Sequence, residues 1–418
     1  MESTSTERRS LTTRYIIGWL VLQLCIAAGG LVWAKTRWNE IQTLKALPTP
    51  QMEPQQFRPL YDVPELISDE DLRFVLWKLR PRLREPNPKI NYVDHALRFW
   101  GVPSQFEDPA CYSGVEMREL LLDHRKFRAA WADEGTRPLF VAREKGVKPR
   151  VQQGDATTSH VDHTLGTLSE VGTPLDYPII TSQGETTVRA LLNQSLYEFT
   201  MNQPEYEWSI LAYALYLPPT KSWVTQEGQK MNFDRLSARL LREKLTRGVC
   251  FGNHRLFTLA MLLRVDERQD ILSDETRQSI VEHLKMVTGK LIATQNAEGF
   301  WDESWDGSPQ SSSSQTLSPI ARKILATGHA LEWWAMAPAD VLPPLEVRMR
   351  AATWLVHTIA EMSDREITLN YTFLTHAGRA LALWRSKFPH EVFPDALCPA
   401  IMPERQHAEN QDNPGEAK

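Results

Sequence analysis

Cysteine is nearly missing from this chain of 418 residues, which has only four: Cys25, Cys111, Cys250 and Cys398. No two follow a CxxC spacing, so neither a disulfide-rich scaffold nor a structural zinc ribbon is encoded. Gly-rich phosphate loops, a Walker sequence, a GxSxG elbow and HExxH are also absent, which sets aside several common enzyme classes. A formal charge of -5 leaves no basic excess for nucleic acid, and charges are scattered singly rather than in blocks. Strand signals are scarce. Most periodic segments place apolar residues three and four apart, which predicts an all-α protein.

Only one long apolar run exists. YIIGWLVLQLCIAAGGLVWA, residues 15–34, carries no charge and is long enough to cross a bilayer as a helix. It reads as a transmembrane anchor; the rival reading is a cleaved signal peptide ending near Val32 and Ala34. Arg8, Arg9 and Arg14 precede the run and Lys35 and Arg37 follow it. That bias makes residues 1–14 a cytoplasmic N-terminus and places the main domain outside the cytoplasm. A Pro- and Gln-rich linker over 35–65 and a polar tail over 389–418 are expected to be extended and disordered, respectively. The stretch between them, 66–388, is the folded domain.

Within that domain about twelve amphipathic segments begin near Ser68, Asn91, Gly114, His160, Thr186, Glu205, Phe233, Asn253, Asp274, Ile320, Leu345 and Tyr371. They make six helical hairpins. A histidine recurs at the second helix of five of them, in VDHAL at Val93, VDHTL at Val161, GNHRL at Gly252, TGHAL at Thr327 and LTHAGRAL at Leu374. The third pair carries EYEWSILAYAL from Glu205 instead. Repeated hairpins stack open or close into a ring, and neither terminal hairpin looks like a polar cap. The expected fold is therefore an (α/α)6 toroid of six hairpins, with one helix of each pair lining its centre.

Two local resemblances agree with a toroid. IATQNAEGFW, residues 292–301, resembles the glutamine-to-tryptophan repeat of terpene cyclases and prenyltransferase-like toroids through Gln295, Gly299 and Trp301. The cyclases' DxDD is absent, so their activity is not implied. GHALEWW, residues 328–334, resembles a stretch of the N-acylglucosamine 2-epimerase family, whose toroid uses histidines as acid and base; His329, Glu332 and Trp333 match, and Trp334 is displaced by one.

Helical spacing puts His329, Glu332 and Trp333 on one face and pairs His95 with Arg98 and His376 with Arg379. A closed ring would gather these faces around a polar cavity, with His254, His329, His376 and Glu332 as candidate catalytic groups, because imidazole transfers protons near neutrality. Arg98, Tyr206, Glu207, Trp208, Trp301, Trp305, Trp333 and Arg379 are candidate substrate-binding residues, since indoles stack on sugar rings and guanidinium forks match carboxylates. The same histidines could instead fix hairpin geometry by bonding to neighbouring turns. HVDH, residues 160–163, has ligand spacing but no carboxylate tied to it, so no metal and no cofactor is expected. The function read from sequence is a membrane-anchored protein acting on a carbohydrate by His-mediated epimerase, lyase or glycosidase chemistry. A non-catalytic binding or interaction module is the alternative, and a terpenoid-handling toroid the third.

Overall fold

The computed structural model describes residues 3–45, 47–133, 135–151, 154–220, 222–308 and 317–402, with the backbone alone for 3–14 and 37–45. The protein is mostly helical. In chain order the helices are α1 (Ser3–Lys45), α2 (Asp69–Lys78), α3 (Ile90–Trp100), α4 (Gly114–Leu122), α5 (His124–Ala130), α6 (His163–Glu170), α7 (Val188–Glu198) and α8 (Glu207–Tyr216). They continue as α9 (Phe233–Arg242), α10 (Asn253–Gln269), α11 (Asp274–Thr294), α12 (Pro319–Trp334), α13 (Leu345–Glu361), α14 (Asp364–Leu369) and α15 (Tyr371–Leu383). Several starts follow from side-chain caps: the hydroxyls of Ser68, Ser113, Ser273 and Ser318 and the amide of Asn232 each accept a backbone N–H of the first turn. Pro319 adds a φ preset for the start of α12.

Residue patterning sorts the helices into two sets. α11 buries Ile280, Leu284, Val287, Thr288 and Leu291, and α13 buries Val347, Ala351, Ala352, Leu355 and Ile359. Each is a single stripe, so the opposite face meets solvent. In α8 every residue from Glu207 to Tyr216 is buried, and in α10 every residue from Asn253 to Asp266. Helices that are enclosed all round must have neighbours on all sides. Accordingly α3 packs on α6, α6 on α8, α8 on α10, α10 on α12, α12 on α15, and α15 again on α3. The one-sided helices lie against these: α4 on α3, α7 on α8, α9 and α11 on α10, α13 on α12, and α2 on α15.

Small residues allow the closest approaches. A Cβ on Gly328 would lie 3.0 Å from the Cα of Ala377, where α12 meets α15, and one on Gly166 would lie 2.9 Å from Cε3 of Trp208, where α6 meets α8. Four short two-stranded ladders decorate the connections, such as Pro178–Thr181 with Gly184–Thr187 and Phe140–Ala142 with Val147–Pro149. The first takes residues expected to begin a helix at Thr186.

The window Tyr15–Thr36 within α1 has a mean hydropathy of 2.0 and none of it is buried, so this helix is long and apolar enough to cross a membrane; a signal sequence shares those features. α1 runs on to Lys45, past the expected start of the linker. Beyond it the linker is not a free spacer. Gln51 and Gln55 donate backbone N–H groups to Tyr216 and Leu215, and Phe57 is buried. The expected disordered tail is also ordered in its first part: Leu397–Cys398 pairs with Gln105–Phe106, Phe393 is buried, and Arg80 donates to the carbonyls of Pro399 and Ala400. Apolar Val392, Phe393 and Cys398 give this segment a surface to bury, which its polar composition concealed. Residues 403–418 of that tail lie outside the described residues.

The helix crossings generate a paired expectation. Gly166→Val drives branched atoms against Trp208 and should destabilise the protein by about 1–3 kcal/mol, as overpacking does. Gly289→Ala, on the exposed face of α11 with nothing within 4 Å, should stabilise it by up to about 1 kcal/mol. Urea denaturation of the two variants checks both; equal effects would contradict the packing.

Candidate functional site

Each of the six enclosed helices sends one aromatic side chain to a common level. Going round, the ring centroids of His95 and His163 are 4.3 Å apart, His163 and Trp208 4.5 Å, Trp208 and His254 4.8 Å, and His254 and His329 5.0 Å. His329 and His376 follow at 3.8 Å, and His376 returns to His95 at 5.7 Å. Trp208 thus fills the place that a sixth histidine would take. The departure of the third hairpin from the histidine pattern is a substitution within the ring. His160 lies beside this layer, 5.8 Å from His163 and 6.0 Å from His254, with Nδ1 3.3 Å from the Glu205 carboxylate.

Contacts at Nδ1 hold four of the imidazoles. His95 and His329 place Nδ1 2.8 Å from the carbonyls of Asn91 and Leu325, each one turn earlier. A carbonyl only accepts, so Nδ1 carries the proton and, in the neutral ring, Nε2 keeps a lone pair. His376 Nδ1 lies 2.7 Å from Glu332 Oε2, and His163 Nδ1 3.0 Å from Asp94 Oδ2. Burial pushes the pKa values of His95, His254 and His329 well below the ordinary histidine range, and the neighbouring imidazoles add to this for His95 and His254. That of His376 is also lowered, by burial against the opposing pull of Glu332. Nε2 of His163, His254, His329 and His376 is buried without a hydrogen-bond partner among the described residues.

One helical turn further along lies a charged layer. Glu332 Oε1 accepts from Arg98 Nη1 at 2.8 Å and from Arg379 Nη1 at 2.6 Å. Glu170 accepts from Arg98 Nε at 2.5 Å and from Arg379 Nη2 at 2.8 Å. The four side chains form a closed alternating ring of two cations and two anions. Charges this deep survive only when paired and hydrogen-bonded throughout. The Arg98 guanidinium also sits 4.9 Å from the ring centroids of Trp208 and Phe257. Although burial alone would raise the Glu332 pKa, Arg98, His376 and Arg379 outweigh it and hold the carboxyl well below its usual range.

Arg98, Glu170 and Arg379 of this layer line a pocket of about 340 Å³, together with Phe99, Phe388 and Glu391. Its size suits a small ligand.

The residues expected at the site separate into two groups. His254, His329, His376, Glu332, Arg98, Arg379 and Trp208 come together in the two layers. Trp301, Trp305 and Trp333 instead pack into the core: Trp301 Nε1 donates to the Leu291 carbonyl and Trp305 Nε1 to that of Phe251, while Trp333 is fully buried against Trp334. Gln295 of the QNAEGFW stretch donates to the carbonyls of Gly299 and Val347, fixing a helix end. Tyr206 and Glu207 are buried at the start of α8, where Tyr206 lies under Arg239 and Glu207 accepts the Tyr206 backbone N–H. Sequence reasoning passed over Asp94, Glu170 and Cys250. Glu170 sits seven residues after His163, two turns along the same face, and this spacing was the available signal.

No described family matches the chain, and no curated protein or solved structure matches it significantly.

Neutral buried histidines make stability depend on pH in a definite direction. Below their ordinary pKa of 6.5 the unfolded chain takes up protons that His95, His254 and His329 refuse in the fold. Stability is therefore full above that pH and declines beneath it, by about 1.4 kcal/mol per pH unit for each such histidine. Urea midpoints measured from pH 7.5 to pH 5 should fall steeply; a flat profile would contradict neutral rings.

Proposed function

We propose that the protein is a membrane-tethered (α/α)6 toroid whose main domain lies outside the cytoplasm, and that it acts on a small anionic carbohydrate by acid/base chemistry. The cyclic packing of α3, α6, α8, α10, α12 and α15 supports the ring, and α1 supplies the tether. The observation that carries the chemistry is the His376–Glu332 pair. An ionised carboxylate holds Nδ1–H at 2.7 Å, and the opposite nitrogen is a lone pair with no partner. That is the base-plus-orienting-group arrangement of general-base catalysis.

The pocket supports the substrate class. Arg98 and Arg379 present guanidinium forks to its floor, and Phe99 and Phe388 give apolar surface for the face of a sugar ring. A ligand carboxylate can replace Glu170 on both forks, which opens the way from the pocket to His376. The imidazole then takes a proton from the carbon next to that carboxylate, a step shared by epimerisation and elimination of uronic acids. Catalytic roles fall to His376 as base, Glu332 as its positioning residue, and Arg98 and Arg379 as carboxylate ligands, with His254 and His329 completing the imidazole layer.

A second reading, a binding module whose histidines only set geometry, draws on the complete enclosure of the imidazole layer. A terpenoid-handling reading needs an apolar cavity, and the charged layer stands where one would be. Hexuronates incubated with the full chain in D₂O separate the first two. Exchange of the proton at carbon 5, seen by ¹H NMR and lost in His376→Asn, is the expected result. Arg379→Lys should weaken uronate binding about tenfold, or about 1.4 kcal/mol, because the bidentate geometry is lost. Binding without exchange would favour the module, and no binding of any hexuronate would overturn the proposal.

A further inference from the structure

The imidazole layer has a second side, away from the Arg–Glu network, that the sugar chemistry does not use. There the chain approaches α10 through a turn of left-handed residues: Cys250 at φ 50°, Phe251 at φ 53° and Gly252 at φ 76°. The two non-glycine residues are held where L side chains are disfavoured. This turn sets Cys250 beside the ring. One ligand atom from each of Cys250, His254 and His329 lies within 4.8 Å of the other two.

The donors there are unusually one-sided. His329 commits Nδ1–H to the Leu325 carbonyl, so its free nitrogen, Nε2, is a lone pair. Nε2 of His254 is likewise unpartnered, and both side chains are more than nine-tenths buried. Nε2 of His376, whose ring lies 3.8 Å from His329 and 5.6 Å from His254, is also without a partner. A buried polar atom without a partner is destabilising. The Cys250 thiol beside them has one proton to share and can satisfy one of these nitrogens at most. They call for an electron-pair acceptor.

We infer that Cys250, His254 and His329 form a binding site for one divalent transition-metal ion of the zinc class, with His376 the nearest fourth donor. Thiolate and imidazole are the donors such ions select over magnesium or calcium. The pinning of His329 by a carbonyl is the outer support that histidine ligands commonly have. Burial pushes the Cys250 thiol up, and the carboxylates of Glu205, Glu332 and Glu207 add to this against the Arg98 guanidinium; the same carboxylates favour a cation there. Binding balances simply: the Cys250 thiol gives up its proton, one H⁺ leaves to solvent, and a sulfur–metal bond forms. The site uses neither the pocket nor the Arg–Glu network, but it shares the imidazoles with the carbohydrate reading, so an ion that recruited Nε2 of His376 would compete with its role as base.

Cobalt(II) is the probe. Full-length protein in detergent, stripped with chelator and titrated with Co²⁺, should bind one equivalent and develop a sulfur-to-cobalt charge-transfer band and the intense visible bands of tetrahedral cobalt. Cys250→Ser should abolish the charge-transfer band, and His254→Gln should weaken Co²⁺ binding about a hundredfold or more. His357→Asn, at an exposed position on α13, should change neither. Circular dichroism reports whether each variant is folded, and the charge-transfer band of the unaltered chain decides the question even where a variant is not. Absence of that band in the unaltered protein, or its persistence in folded Cys250→Ser, would overturn the inference. Hexuronate binding measured on the same stripped protein tells failure of this site apart from failure of the carbohydrate reading.

Discussion

A backbone carbonyl oxygen can accept a hydrogen bond but cannot donate one, and the centre of this protein is organised by that limit. Where Asn91 and Leu325 take the Nδ1 protons of His95 and His329, each ring is fixed in one tautomer. Burial then keeps the rings neutral. What results is a layer of imidazoles in which His95 and His329 engage Nδ1 with a carbonyl and keep a lone pair on Nε2. Both proposals start from this layer: His376 as a proton acceptor, and His254 and His329 as ligands on the Cys250 side.

The adjoining charged layer plays a different part. Arg98, Glu332, Arg379 and Glu170 alternate so that every charge has two opposite neighbours. Removing one partner from such a buried set costs about 3–5 kcal/mol, because it strands an uncompensated charge. A ligand carboxylate of the proposed kind takes over the contacts of Glu170 only if that side chain swings out to water, so the network keeps the floor closed in the unliganded protein.

Much of this was legible in the sequence, and the reasons can be given residue by residue. Twelve of the fifteen described helices were visible as amphipathic segments, because the enclosed ones, such as α8, are apolar all round while α11 and α13 carry one stripe. The histidines were visible because a repeat copies its inward-facing position. The role of Trp208 was half visible: the third hairpin showed a tryptophan near the repeated position, yet only packing shows it occupying the ring, with Gly166 of α6 leaving room for it. Asp94 and Asp162 show the limit of sequence reading. Both precede a histidine in VDH, but Asp94 meets His163 of the next helix, whereas Asp162 accepts from Ser195 and Ser209 at 2.5 Å. Identical local sequence met different neighbours. The tryptophans of GFWDESW were misleading for a related reason, since an indole whose N–H reaches a carbonyl is as well suited to a core as to a sugar face. Cys250 escaped notice because its position depends on a left-handed turn before α10, which spacing rules for helices do not describe.

The account rests on the protonation of the imidazole layer, and ¹⁵N NMR of histidine-labelled, metal-stripped full-length protein at pH 7 tests it most directly. Coupling patterns and nitrogen shifts distinguish the two neutral tautomers from imidazolium. His95 and His329 are expected to be neutral with the proton on Nδ1 and a lone pair on Nε2. Finding them as imidazolium, or with the proton on Nε2, would contradict the account and remove the lone pair of His329 on which the proposed metal site depends.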